Sequence, residues 1–177
     1  MKVEKPWSAM IRLGDLGRGV VRRKLEPDAA TRAAIARELG LVSIDSLTAD
    51  VEASAWLDGG EIVGQFSAEV TQTCGVTAED FPVRISSAFE IRVVPADSPH
   101  APQDAGEEID LDPEADDPPD VLEDDRIDLA GYVVEHLALE LDPFPRKPGA
   151  VFTAPEEPVE MSPFAVLKGL KTDTAGD

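Results

Sequence analysis

The sequence predicts an α+β domain, an antiparallel β-meander covered by helices, with a long acidic mobile loop and a short C-terminal docking helix. Three observations carry that expectation. Apolar and polar residues alternate through successive segments between Ser46 and Val93, as in strands with one face in water. Apolar residues recur at helical spacing from Ile127 to Leu141. Between them lies a stretch too acidic and too poor in large apolar groups to order itself.

Taken in order, Ala9, Met10, Ile11 and Leu13 suggest a short strand, which Gly14, Gly17 and Gly19 break into a loop. A helix over residues 28–39 follows, with Asp28 as N-cap and Ala33, Ile35, Ala36 and Leu39 at helical spacing up to Gly40. In the first meander strand Val51, Ala53 and Ala55 share a face, and Asp58-Gly59-Gly60 is expected to turn the chain. Ile62, Phe66, Ala68, Val70 and Cys74 then share one face with Gly64 and Gln72. Glu61, Gln65, Ser67, Glu69, Thr71 and Thr73 take the other. A third strand turns Phe81, Val83, Ile85, Phe89, Ile91 and Val93 inward, and Arg84, Ser86, Glu90 and Arg92 outward.

Such a sheet needs a cover. The candidate lid is a helix over residues 129–141, capped by Asp128 and ended by Asp142-Pro143. Ile127, Ala130, Val133, Val134, Leu137 and Leu141 form its apolar stripe. Thirteen acids and one base stand between Asp104 and Asp128, so a mobile loop is expected at about 97–117. Residues 1–151 are thus expected to form a single domain. Residues 152–177 are expected to form a Pro/Glu-rich linker and a tail in which Phe164 and Leu167 sit in a helix begun at Pro163. That tail docks either on its own domain or in a partner's groove.

The net charge of −20 is uneven. Residues 1–50 hold nine basic and seven acidic side chains, while residues 101–150 hold three and sixteen. Overall the chain repels nucleic acid, so any RNA contact must be local, and basic partners are attracted. No DNA binding is expected. A single Cys74 excludes an internal disulfide framework and fits a reducing compartment. Met1-Lys2-Val3-Glu4-Lys5-Pro6 does not read as a signal peptide, and no run approaches the ~18 apolar residues of a membrane span. A cytoplasmic protein without membrane contact is expected.

Cys74 falls on the inward face, where core packing is its expected role. A nucleophile would want a nearby His, and the two present are His100 in the loop and His136 on the helix. A zinc site would want a second Cys. Asp110 to Asp117 departs from a calcium loop, with Ala115 at the sixth position and Val121 at the twelfth. Gly14-Asp15-Leu16-Gly17 has the spacing of an RNA-clamping loop but an acid where a phosphate would sit. Arg18, Arg22, Arg23 and Lys24 form the dense basic cluster, read either as the solvated start of a helix or as a phosphate contact. No active site is found and no cofactor is expected.

Three features stand in order: Cys74 ending a long strand, Ile127-Asp128-Leu129 opening a helix that ends near Pro143 and Pro145, and Pro163-Phe164-Ala165-Val166-Leu167 before lysines. In that order the chain resembles the YceD family of bacterial and plastid proteins associated with large-subunit ribosomal RNA accumulation. The likeness runs from roughly Val42 to Lys171. The long acidic loop and alanine-rich style look like the alphaproteobacterial branch. Many members carry Cys-x-x-Cys where this chain reads Cys74-Gly75-Val76-Thr77, so a metal or redox role for that pair does not carry over. The resemblance implies a ribosome-biogenesis factor rather than an enzyme. Its implied partner is large-subunit ribosomal RNA or a basic large-subunit ribosomal protein. A rival reading is a small-molecule-binding or redox module using the sheet face, which a pocket with convergent polar groups would favour and a filled aliphatic core would not.

Overall fold

Alternation decides the centre of the fold. In the computed structural model, which describes residues 5–102 and 117–152, the elements run β1 (Met10–Arg12), α1 (Leu13–Leu16), β2 (Val21–Leu25), α2 (Ala29–Glu38), β3 (Ser43–Trp56), β4 (Gly59–Thr73), β5 (Asp80–Pro95), β6 (Asp120–Leu122), β7 (Arg126–Asp128) and α3 (Leu129–Glu140). One sheet has the order β2-β3-β4-β5-β6, and β1 pairs with β7 in a separate ribbon. The three long strands form the expected antiparallel meander, with Val51 opposite Gly64 and Gly64 opposite Phe89.

Most inward residues foreseen from parity are buried, while Val83 and Ile91 are half-buried. Val51, Ala53, Ile62, Phe66, Ala68, Val70, Ile85, Phe89 and Val93 line the core, and α3 lays Leu129, Ala130, Val133 and Leu137 against it. Each fully buried Leu, Ile or Val of this set contributes about 1.5–3 kcal/mol of transfer free energy. The Asp28 carboxylate caps α2 as expected, accepting the Thr31 N–H at 2.8 Å. Ile35 and Ala36 of that helix join the same core beside β3.

The sheet is larger than a three-stranded meander and is not wholly antiparallel. β2 extends it on one side, so Arg22, Arg23 and Lys24 form an edge strand and not the start of a helix. β6 extends the other side and runs parallel to β5, with Val93 opposite Asp120. The first hairpin turns one residue earlier than expected, through Leu57-Asp58, with Leu57 in the left-handed region at φ 51°. Gly59 is instead a strand residue, placed where any Cβ would overlap the Val93 carbonyl. Next to this turn Ala55 is exposed. Residues 103–116, the acid-rich body of the expected loop, lie outside the described residues. So do the linker and the tail with Pro163, Phe164, Ala165 and Leu167.

Candidate functional site

An edge strand has a neighbour on one side only, and this governs the basic cluster. Along β2, Arg22 stands opposite Glu52, Arg23 opposite Val51 and Lys24 opposite Asp50. Alternation puts Arg22 and Lys24 on the outer face of the sheet and turns Arg23 the other way at the open edge. All three are exposed. Arg22 Nε donates to Glu52 Oε2 at 2.7 Å, and Arg23 Nη1 donates to the Arg22 carbonyl at 3.0 Å. Arg23 and Lys24 make no ion pair among the described residues.

Arg22 and Lys24, with Asp50 and Glu52 opposite them and Arg23 at the open edge, line a groove of about 490 Å³ floored by the outward Val63, Gln65 and Ala88. Arg18 does not line it, and its guanidinium pairs with Asp15 at 3.5 Å. The structure therefore brings together three of the four basic candidates. Sequence reasoning missed the floor. Its signal was Val63, an apolar residue at an otherwise polar, outward parity position, and it is 46% exposed.

Cys74 directly follows β4 with its side chain buried, but its surroundings are polar. Its Sγ accepts N–H groups from Val76 and Thr77 at 3.4 Å and from Lys147, 73 residues away, at 3.3 Å. The Thr77 hydroxyl, then the Lys147 N–H, favour the thiolate against desolvation and lower the Cys74 pKa from 9.0 to about 7. Around it, the Pro145 carbonyl accepts the Gly75 N–H at 2.9 Å, and Lys147 Nζ reaches Glu79 at 3.1 Å. The segment that leaves α3 through Pro143 and Pro145 is thus clasped to the turn between β4 and β5. A single thiolate beside a threonine hydroxyl and a lysine backbone does not make a zinc donor set. Among the described residues no group of three or more His, Cys, Asp or Glu is placed to hold a metal ion.

Asp128 holds the N-cap position of α3, yet its side chain does not cap the helix. Asp128 is also the last residue of β7, opposite Met10, and its Oδ1 accepts the Ala9 N–H at 2.9 Å across 119 residues. The Leu129 N–H returns a bond to the Ala9 carbonyl at 3.1 Å. Oδ2 is buried with no hydrogen-bond partner among the described residues. Ile127 and Leu129 on either side are fully buried. The triplet therefore fastens the N-terminal strand to the start of α3, a different task from the local cap that the sequence suggested.

A family model described as large ribosomal RNA subunit accumulation protein YceD matches residues 62–171, more than half of the chain. It spans Cys74, the Ile127-Asp128-Leu129 triplet, both prolines and the tail, and begins after β2 and β3. No curated protein and no solved structure gives a match.

Proposed function

The chain belongs to the YceD family, and from that premise we propose that it supports accumulation of large-subunit ribosomal RNA by binding, not by catalysis. The observation that carries this reading is the cationic edge of β2. In a chain of net charge −20, Arg23 and Lys24 stand exposed and without ion-pair partners among the described residues, beside an open groove. Exposed cations on an open sheet edge, without ion-pair partners among the described residues, can each take a phosphate of an RNA backbone that crosses the edge. The family match begins at Ile62, so the β2 cations lie outside the matched region and the groove floor of Val63, Gln65 and Ala88 lies within it.

The filled inner face argues against the rival small-molecule or redox reading. Phe66, Phe89, Ile62 and Val70 occupy that face with aliphatic and aromatic packing. No helix of the described residues is long and apolar enough to cross a membrane. The site of action proposed is the cytoplasm, where ribosomal precursors assemble.

Equilibrium binding of the full chain to large-subunit ribosomal RNA, measured across a salt series, tests the reading. Arg23→Glu/Lys24→Glu should weaken binding and reduce the log–log salt slope by roughly 1.4–1.8, the share of two phosphate contacts. Unchanged affinity and slope would remove β2 as the RNA contact.

A further inference from the structure

The sheet is left open along most of β5. β6 covers only Val93–Pro95, so among the described residues Val83–Arg92 has β4 on one edge and no strand on the other. An edge of this kind presents a row of unpaired N–H and C=O groups and templates an added strand. Pro82, which has no N–H to donate, stands at the start of the open stretch, where an edge strand tolerates proline.

Beside this edge runs a groove of about 470 Å³ between β5, α3 and the residues leading into β6. Its walls carry Glu90, Asp117, Asp120 and Glu135, with Leu139, 78% exposed, as an apolar shelf. Arg92 is committed to Glu61 at 3.4 Å and Glu90 at 3.2 Å, and Lys5 reaches Glu135 at 3.6 Å, so Asp117 and Asp120 carry the groove's remaining negative charge. Tyr132 donates its hydroxyl to Asp120 at 3.1 Å, and its burial, followed by the Asp120 charge, raises its pKa and keeps that proton in place.

We propose that the open edge of β5 docks a basic peptide segment in extended form, which adds a strand to the sheet and lays Lys or Arg side chains over the acid-lined groove. Main-chain hydrogen bonds would supply affinity and the alternate cationic side chains selectivity. Charge disfavours RNA, which would bring phosphates, and a second copy paired through the same edge, which would bring its own acids to the same acids. Pairing through the basic β2 edge of a second copy would show as self-association of the chain alone in sedimentation, and would overturn the proposal. The chain's own residues 103–116 hold seven acids and no base. The inference deepens the binding role proposed above by naming a protein partner, and rests on that reading only for taking the peptide to come from ribosomal material.

The test uses the full chain and a synthetic peptide of alternating lysine and valine, with a glutamate–valine peptide as its counterpart. The lysine peptide should bind saturably, weaken with salt, and slow amide exchange at alternate residues of Val83–Arg92. Glu90→Lys/Glu135→Lys, at two exposed positions, should weaken binding roughly tenfold. Arg23→Glu/Lys24→Glu should leave it unchanged, so the outcome is independent of the RNA reading. Equal binding of the glutamate peptide, protection confined to other strands, saturable binding without protection of β5, or no binding would each overturn the proposal.

Discussion

The Phe89 ring lies over Gly64, the residue directly opposite it on β4, and fills the space a side chain there would need. The same ring stacks on His136 of α3, with centroids 4.5 Å apart and planes 6° from parallel. The glycine in the middle of a long strand is therefore what lets an aromatic ring join sheet to helix. Gly64→Ala should destabilise the protein by about 1–3 kcal/mol through overpacking. Denaturant unfolding checks this, and pairing it with Phe89→Leu should cost less than the sum of the two single changes. A Gly64→Ala variant of wild-type stability would contradict the ring's placement.

The Cys74 thiol should titrate near 7 in the native protein. A folded pKa of about 7 against an ordinary thiol value of 9.0 makes the thiolate the favoured folded form above pH 7. Its stabilising contribution is present in full above 9, shrinks as pH falls from 9 towards 7, and is absent below. The thiolate absorbance of wild type minus Cys74→Ser gives the midpoint, and the stability gap between the two should widen from pH 7 to pH 9. A midpoint at or above 9 would show that the Thr77 and Lys147 donors do not act on Sγ as described.

Asp128→Ala should cost about 1–3 kcal/mol, because it removes a charged acceptor and leaves the Ala9 N–H without its partner. Exchange of the Ala9 amide, followed by NMR, should accelerate more than that of residues in the middle of α3. Equal acceleration of the two would point to a general loss of helix stability, and hence to the local cap that the geometry lacks.

The long strands were legible because each is buried on one face and wet on the other, so Ile62 to Val70 and Phe81 to Val93 carry a period of two. β2 was not legible, because an edge strand exposed on both faces can hold three successive charges at Arg22, Arg23 and Lys24, which erases that period. β6 is three residues long and buries Leu122 alone, too little signal to stand out from the acids around it. The basic cluster was visible as composition, but the groove beside it depends on pairing with β3 and β4. The bonds from Lys147 to Cys74 and from Ala9 to Asp128 join residues far apart in the chain, and nothing local announces them.

The tail gives a prediction of its own. If Phe164 docks on its own domain, Phe164→Ala should cost about 3–5 kcal/mol when the ring is fully buried. If the tail serves a partner, stability should stay within about 0.5 kcal/mol of wild type, and association with pre-ribosomal particles should fall. Denaturant unfolding and gradient sedimentation of one variant separate the two, and wild-type behaviour in both would deny the tail a docking role.

Support of large-subunit ribosomal RNA through the exposed cations of β2 should show in the ratio of large- to small-subunit ribosomal RNA in cells whose sole copy of the chain carries Arg23→Glu and Lys24→Glu. The variant protein should be present at its normal level while the ratio falls towards that of cells lacking the chain. A ratio equal to wild type, with the variant protein at full level, would contradict it.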